Sequence, residues 1–185
     1  MPALADDLSG TAQIVLAAAF GALTILGIVL MAPSAKKLKA TGGPGIVALE
    51  LAGSDDKVRV VLAQWGTRGR KSAAQNLAAD LPFLVGYGGL LAVLLSSGAD
   101  TIAAKTWSWT GTASRALALL AIAAAVLDLI ENACLWRVVT TTGSVQPTAA
   151  IAKIAAYLKF ALVIVAVVWL ALVVVPILLV PAGVS

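Results

Sequence analysis

Histidine is absent from the chain, and cysteine occurs once, as Cys134. Without histidine there is no bis-histidine haem ligation and no imidazole acid/base chemistry. A single cysteine excludes an intrachain disulfide and a cysteine-based zinc site. Charge is scarce as well, at 12% of residues, against about 25% in an average soluble domain. No hydrophilic block is long enough for a second, soluble domain, and no aromatic-basic interleaving of the kind that binds nucleic acid occurs. What abounds is apolar: 61% of residues, with a mean hydropathy of +0.99. Residues 1–185 are therefore expected to form a single integral membrane domain.

Four runs are long enough to cross a hydrocarbon core of ~30 Å as helices. They cover residues 12–32, 78–97, 116–139 and 150–175, and the last has room to continue past Pro176 toward Val180. The first should begin near Ser9 or Thr11 and stop at Pro33. An Ala-Pro-Ser-Ala stretch follows it, as in a cleaved signal peptide. The flanks argue otherwise, with Asp6 and Asp7 before it and Lys36, Lys37 and Lys39 after it. The expected fold is all-α, a four-transmembrane-helix bundle.

Lys and Arg between the first two spans number eight: Lys36, Lys37, Lys39, Lys57, Arg59, Arg68, Arg70 and Lys71. Arg137, Lys153 and Lys159 fall on the same side, and only Lys105 and Arg115 lie opposite. This asymmetry places the basic side in the cytoplasm and both termini outside. Trp107 and Trp109 then anchor the outer interface and Trp136 the inner one, where indole rings favour the headgroup region.

The connection 33–77 is the one sizeable part outside the membrane. Gly42, Gly43, Pro44 and Gly45 make a turn, and residues 46–51 suit a short extended piece. Ser54, Asp55 and Asp56 form a helix start, an N-cap followed by acids. Val58, Val61, Leu62 and Trp65 follow at i, i+3, i+4 and i+7, giving a short cytoplasmic amphipathic helix that Gly66 closes. Thr67 can cap a further helix that runs through residues 68–80 into the second span, bent or interrupted at Pro82.

Asp128, Glu131 and Asn132 lie within the third apolar run at i, i+3 and i+4, on one helix face. A carboxylate at such depth costs roughly 2.5–3.5 kcal/mol on insertion scales unless it is paired, protonated or hydrated. Lys159 enters the fourth span from the same side, and Asp80 begins the second there. Ala121, Ala124 and Ala125 share the acidic face, while Ala152, Ala155, Ala156 and Ala166 share that of Lys159. Small residues let membrane helices approach, so the third and fourth helices should pack through alanines with Lys159 against Glu131 or Asp128. Gly21 and Gly88 are further positions where a small residue suits close approach. A network of this kind either fixes helix register or serves protons, ions or polar ligand groups.

The run Arg68-Gly69-Arg70-Lys71 is explained by topology alone. Beside an amphipathic helix, though, Trp65, Arg68, Arg70 and Lys71 are also placed to meet anionic lipid. Gly42-Gly43-Pro44-Gly45 lacks the Lys-Ser/Thr ending of a phosphate-binding loop, which excludes nucleotide hydrolysis there. Ser96, Ser97 and Cys134 have no base partner and are discarded as nucleophiles. Two acids and an amide are too few to specify a metal, and no cofactor is expected.

Ala63-Gln64-Trp65-Gly66, Arg68, Arg70, Asp80, Tyr87-Gly88 and the run from Leu127 to Asn132 together resemble a pattern in small four-helix bacterial membrane proteins. The resemblance covers residues 49–137 and brings no activity with it. It implies one site made of Trp65, Arg68, Arg70, Asp80, Asp128, Glu131 and Asn132. We therefore expect a multi-pass protein of a bacterial inner membrane, with membrane lipids as partners and no nucleic acid. It would serve as a non-enzymatic accessory or assembly subunit of a larger membrane complex, or as a lipid binder. The alternative is an intramembrane enzyme or proton-coupled carrier that uses Asp128 and Glu131. The charge asymmetry predicts that cysteines placed at positions 57 and 105 label from opposite sides of the membrane, 57 from within. Labelling of both from outside intact cells would overturn the orientation.

Overall fold

The structure, a computed structural model, describes residues 8–175. Asp6, Asp7 and the expected continuation past Pro176 toward Val180 lie outside the described residues. Within them the chain is helical with no strand: α1 (Gly10–Lys39), α2 (Ile46–Glu50), α3 (Asp55–Ala79), α4 (Leu81–Ser97), α5 (Ala99–Lys105), α6 (Ser108–Thr140) and α7 (Thr148–Trp169). A π-helical stretch, Leu170–Val174, extends α7. Helix α1, the continuous α3–α4–α5 segment, α6 and the extended α7 are each long and apolar enough to cross a membrane. The protein is thus an all-helical, multi-pass membrane protein.

Ser9 caps α1, its hydroxyl accepting from the Ala12 N–H at 3.3 Å. The helix does not stop at Pro33, as its sequence suggests, but runs on to Lys39. A proline inside a helix removes one backbone bond and crowds the preceding turn. Here neighbours brace that turn: Ser34 Oγ donates to the Met31 carbonyl at 2.8 Å. Asn76 Nδ2, from α3, donates to the same carbonyl at 3.2 Å and to Ser34 Oγ at 2.9 Å. Side chains and adjacent helices commonly support prolines in membrane helices in this way.

A second correction concerns residues 46–51: Ile46–Glu50 form helix α2, with Leu51 as its C-cap, instead of an extended piece. An isolated extended segment would leave its backbone groups unpaired, whereas a helical turn satisfies them locally. Gly45, extended at φ −69° and ψ 176°, starts that turn, and Leu49 and Glu50 are buried by it.

Helix α3 follows its sequence pattern closely. Val58, Val61, Leu62 and Trp65 are all buried, and Gly66 breaks the helix at φ 58°, ψ −167°, a conformation open to glycine at little cost. Asp55, the first residue of α3, does more than face the helix dipole. Its carboxylate accepts from the Ser144 hydroxyl at 2.8 Å and the Val145 N–H at 3.0 Å, tying the α6–α7 connection to the helix start. After Asp80 the chain restarts as α4 with Pro82 in its first turn, where a missing N–H costs nothing.

The long helices pack in the spatial order α1, α4, α6, α7, and α4 and α7 barely touch each other. Small residues set the close approaches. A methyl group added to Gly27 would stand 2.5 Å from Phe83 Cβ, and one added to Gly88 would stand 2.6 Å from Ala125 Cβ. Gly86 meets the Thr24 backbone and Gly89 the Phe20 ring in the same manner. Ala121 and Ala124 of α6 and Ala152 and Ala156 of α7 are fully buried, and α6 and α7 pack closely against each other. Gly21, by contrast, has nothing within 4 Å of an added Cβ among the described residues, so its small size sets no helix contact among them. Trp107 and Trp109 are exposed at one end of α6 and Trp136 near the other.

Leucine at position 88 should therefore lower the thermal stability of the purified protein by about 1–3 kcal/mol, the usual cost of overpacking. Leucine at position 21 should leave it unchanged. Thermal unfolding in detergent reads the difference, and equal losses at the two positions would contradict the packing described.

Candidate functional site: a buried charge cluster and an apolar cleft

Helix periodicity turns Asp128, Glu131 and Asn132 to one side of α6, and all three are buried. Lys159 comes from the alanine-rich face of α7 and is only 8% exposed. The alanines allow close approach of the two backbones, so the lysine stem crosses a short gap. Lys159 Nζ donates to Asp128 Oδ1 at 2.6 Å. Glu131 Oε2 stands 2.7 Å from the same nitrogen, an ion pair outside hydrogen-bonding geometry. One ammonium thus bridges two carboxylates a helical turn apart.

Asp80, at the break between α3 and α4, is brought to the same cluster. Asn132 Nδ2 donates to Asp80 Oδ2 at 2.6 Å, so the amide serves the carboxylate across the α4–α6 contact. Asn76, one helical turn before Asp80, bonds Met31 and Ser34 of α1.

Glu50 was not anticipated from the sequence. The last residue of α2, it is buried, and one of its carboxylate oxygens has no hydrogen-bond partner. Burial pushes its carboxyl above the ordinary carboxylate range. Lys159 opposes that rise, and the charges of Asp128 and Asp80 add to it. The available signal was modest: Glu50 is the one charged residue in the otherwise apolar and Gly-rich stretch 40–53. Glu50, Asp80, Asp128 and Glu131 share a single buried lysine, so the cluster carries more acid than Lys159 can neutralise. Such an arrangement suits the holding of protons or of polar ligand groups.

Because α4 and α7 both lean on α6 without closing on each other, a cleft of about 290 Å³ remains between them. Phe83, Leu91, Phe160 and Val163 contribute to its apolar walls, and Asp128 and Lys159 also line it. Tyr87 joins the lining, and its buried hydroxyl lies near the Asp128 carboxylate without a hydrogen bond of good geometry to any described residue.

The basic residues gather elsewhere. Arg68 and Lys71 line a groove of about 660 Å³ together with Lys37 from the end of α1. Arg70 does not line it. Trp65 forms part of the wall but is 2% exposed, and its indole N–H donates to the Pro44 carbonyl at 2.7 Å. The single site implied by the resemblance is therefore divided. Trp65 and Arg68 belong to the groove, and Asp80, Asp128, Glu131 and Asn132 to the cluster.

Ser96 and Ser97 donate back to the Ala92 and Val93 carbonyls of their own helix, at 2.6 and 2.5 Å. No group of three or more acid or thiol side chains among the described residues is arranged to hold a metal ion.

Breaking a buried ion pair from one side leaves an uncompensated charge, at a cost of about 3–5 kcal/mol. Lys159→Met should destabilise the protein by that order in detergent, and adding Asp128→Asn or Glu131→Gln should recover part of the loss. Double-mutant cycles measure the coupling directly. Strictly additive losses with both acids would show that the bridge contributes nothing. Comparison with protein-family models, with curated proteins and with solved structures gave no match, so no family is assigned to the chain.

Proposed function

We propose that this is a non-enzymatic binder of a membrane amphiphile, in a bacterial inner membrane, with both termini outside and the Lys/Arg-rich end in the cytoplasm. The observation that carries the proposal is the cleft between α4 and α7, whose walls are apolar and whose lining includes Lys159, Asp128 and the Tyr87 hydroxyl, which makes no well-aligned hydrogen bond to any described residue. Ligand sites of this type combine a mainly apolar lining with a few placed polar groups. An acyl or prenyl chain would lie against Phe83, Leu91 and Val163. An acceptor oxygen, such as an ester or ketone carbonyl, would take the Tyr87 O–H. Lys159 hydrogen-bonds Asp128 and stands in an ion pair with Glu131, and an ammonium has three protons, so donor capacity remains for the same ligand group.

Amphiphile binding accounts for the cleft, which a purely structural ion-pair network does not require. It also favours the lipid-binding reading over that of an assembly subunit, for which the exposed apolar helix faces are no evidence, since lipid alone explains them.

Purification in mild detergent followed by mass spectrometry should find a lipid or prenyl compound retained by the wild-type protein. Val163→Trp, which fills the cleft, should lose it. Tyr87→Phe should weaken retention about fivefold, the equivalent of one hydrogen bond of about 1 kcal/mol. An identical bound-lipid profile in wild type and Val163→Trp would reject the cleft as the binding site.

A further inference from the structure

The groove at the Lys/Arg-rich end is a separate concavity, and we propose that it is a binding site for a phosphate group. Its volume of about 660 Å³ exceeds that of the apolar cleft, and its lining contains Lys37, Arg68 and Lys71 with no carboxylate. The three cations come from two helices, one at the end of α1 and two just after the break in α3. A topological role explains why cations lie at this end of the molecule. It does not explain why residues 31 or more positions apart converge on one concavity from which acids are excluded. Acids are present close by in the chain, and Asp56 stands 3.9 Å from Arg59, outside the groove.

The walls of the groove are fixed by packing. Trp65 is anchored through its N–H to Pro44, and an added methyl on Gly43 or Gly69 would collide with the Trp65 side chain. Only glycine at both positions lets the Gly42–Gly45 turn and the second half of α3 close around the indole. Gly66 then interrupts α3, so that a new helical stretch begins beside the groove with Arg68 in its first turn. A helix start adds partial positive charge to the three full charges. Arg68 offers a planar fork that matches two phosphate oxygens, while Lys37 and Lys71 act as point charges. Thr41, Gln64 and Gln75 supply neutral groups to the same lining. Together these groups suit a phosphate monoester or diester, carried either by a lipid headgroup or by a soluble molecule.

The site is independent of the amphiphile cleft, and either can fail without the other. The test uses the full-length protein in phosphatidylcholine nanodiscs, with and without phosphatidic acid or phosphatidylglycerol, and in neutral detergent with inorganic phosphate at constant ionic strength. Lys37→Gln, Arg68→Gln and Lys71→Gln are compared with Arg59→Gln and Arg70→Gln, which lie outside the groove. Each groove variant should weaken binding about fivefold, the effect of one basic residue near an anionic surface, while the controls leave it unchanged. Loss of bound anionic lipid only in the groove variants assigns a headgroup. Groove-dependent thermal stabilisation by inorganic phosphate, without a change in lipid, assigns a soluble phosphate. Equal losses in groove and control variants, or no response to either ligand in the wild type, overturns the site. All three groove residues are exposed, so single variants retain the fold, and their unfolding temperatures verify it.

Discussion

One ammonium group, that of Lys159, stands between the carboxylates of Asp128 and Glu131 at 2.6 and 2.7 Å. In a low-dielectric surrounding each of these charges alone is costly, and the bridge reduces the cost for all three at once. It also fixes geometry. Turning α6 or α7 by a single residue rotates its side chains by about 100°, which would carry the lysine or the acids out of reach. The alanines between the helices make the approach close enough for the bridge, and the bridge selects which of many alanine registers is used. Small residues alone permit contact without choosing a register.

The remaining architecture is arranged around that seam. Helix α4 packs on the far flank of α6 through Gly88 and Ala125 and brings Asp80 to Asn132. Helix α2 delivers Glu50 from the Lys/Arg-rich end. The result is a cluster richer in acid than in base, next to a cleft that exists because α4 and α7 share α6 and touch each other only slightly. The polar cluster and the apolar cleft are therefore consequences of one packing choice. Their adjacency gives the site its amphipathic character.

Much of the fold is legible in the chain because membrane helices obey strong local rules: apolar length, capping and small-residue faces. The four long helices, the Ser9 cap, the Gly66 break and the buried face of Val58, Val61, Leu62 and Trp65 all follow from such rules. The deviations are places where a distant partner intervenes. Pro33 does not end α1, and beside it Ser34 and Asn76 tie the Met31 carbonyl to α3. Residues 46–51 are not extended, and among the described residues no strand is present to pair with them. Gly21 is small without a neighbour among the described residues that needs it to be, while Gly27 and Gly89, no different in sequence, meet Phe83 and Phe20.

For the candidate site the same division holds. Spacing within one helix is local, so the sequence by itself determined that Asp128, Glu131 and Asn132 share a face. The pairing cation could be narrowed to Lys159 by depth. Tertiary structure alone decided that the lysine bridges both acids, that Asn132 turns to Asp80, and that Glu50 joins them. It also divided the basic residues, placing Arg68 and Lys71 with Lys37 in a groove and leaving Arg70 outside. The physical reason is that helical periodicity fixes the direction of a side chain relative to its own axis. The angle and separation between axes depend on contacts among residues far apart in the chain, and those decide which side chains meet and where an opening is left.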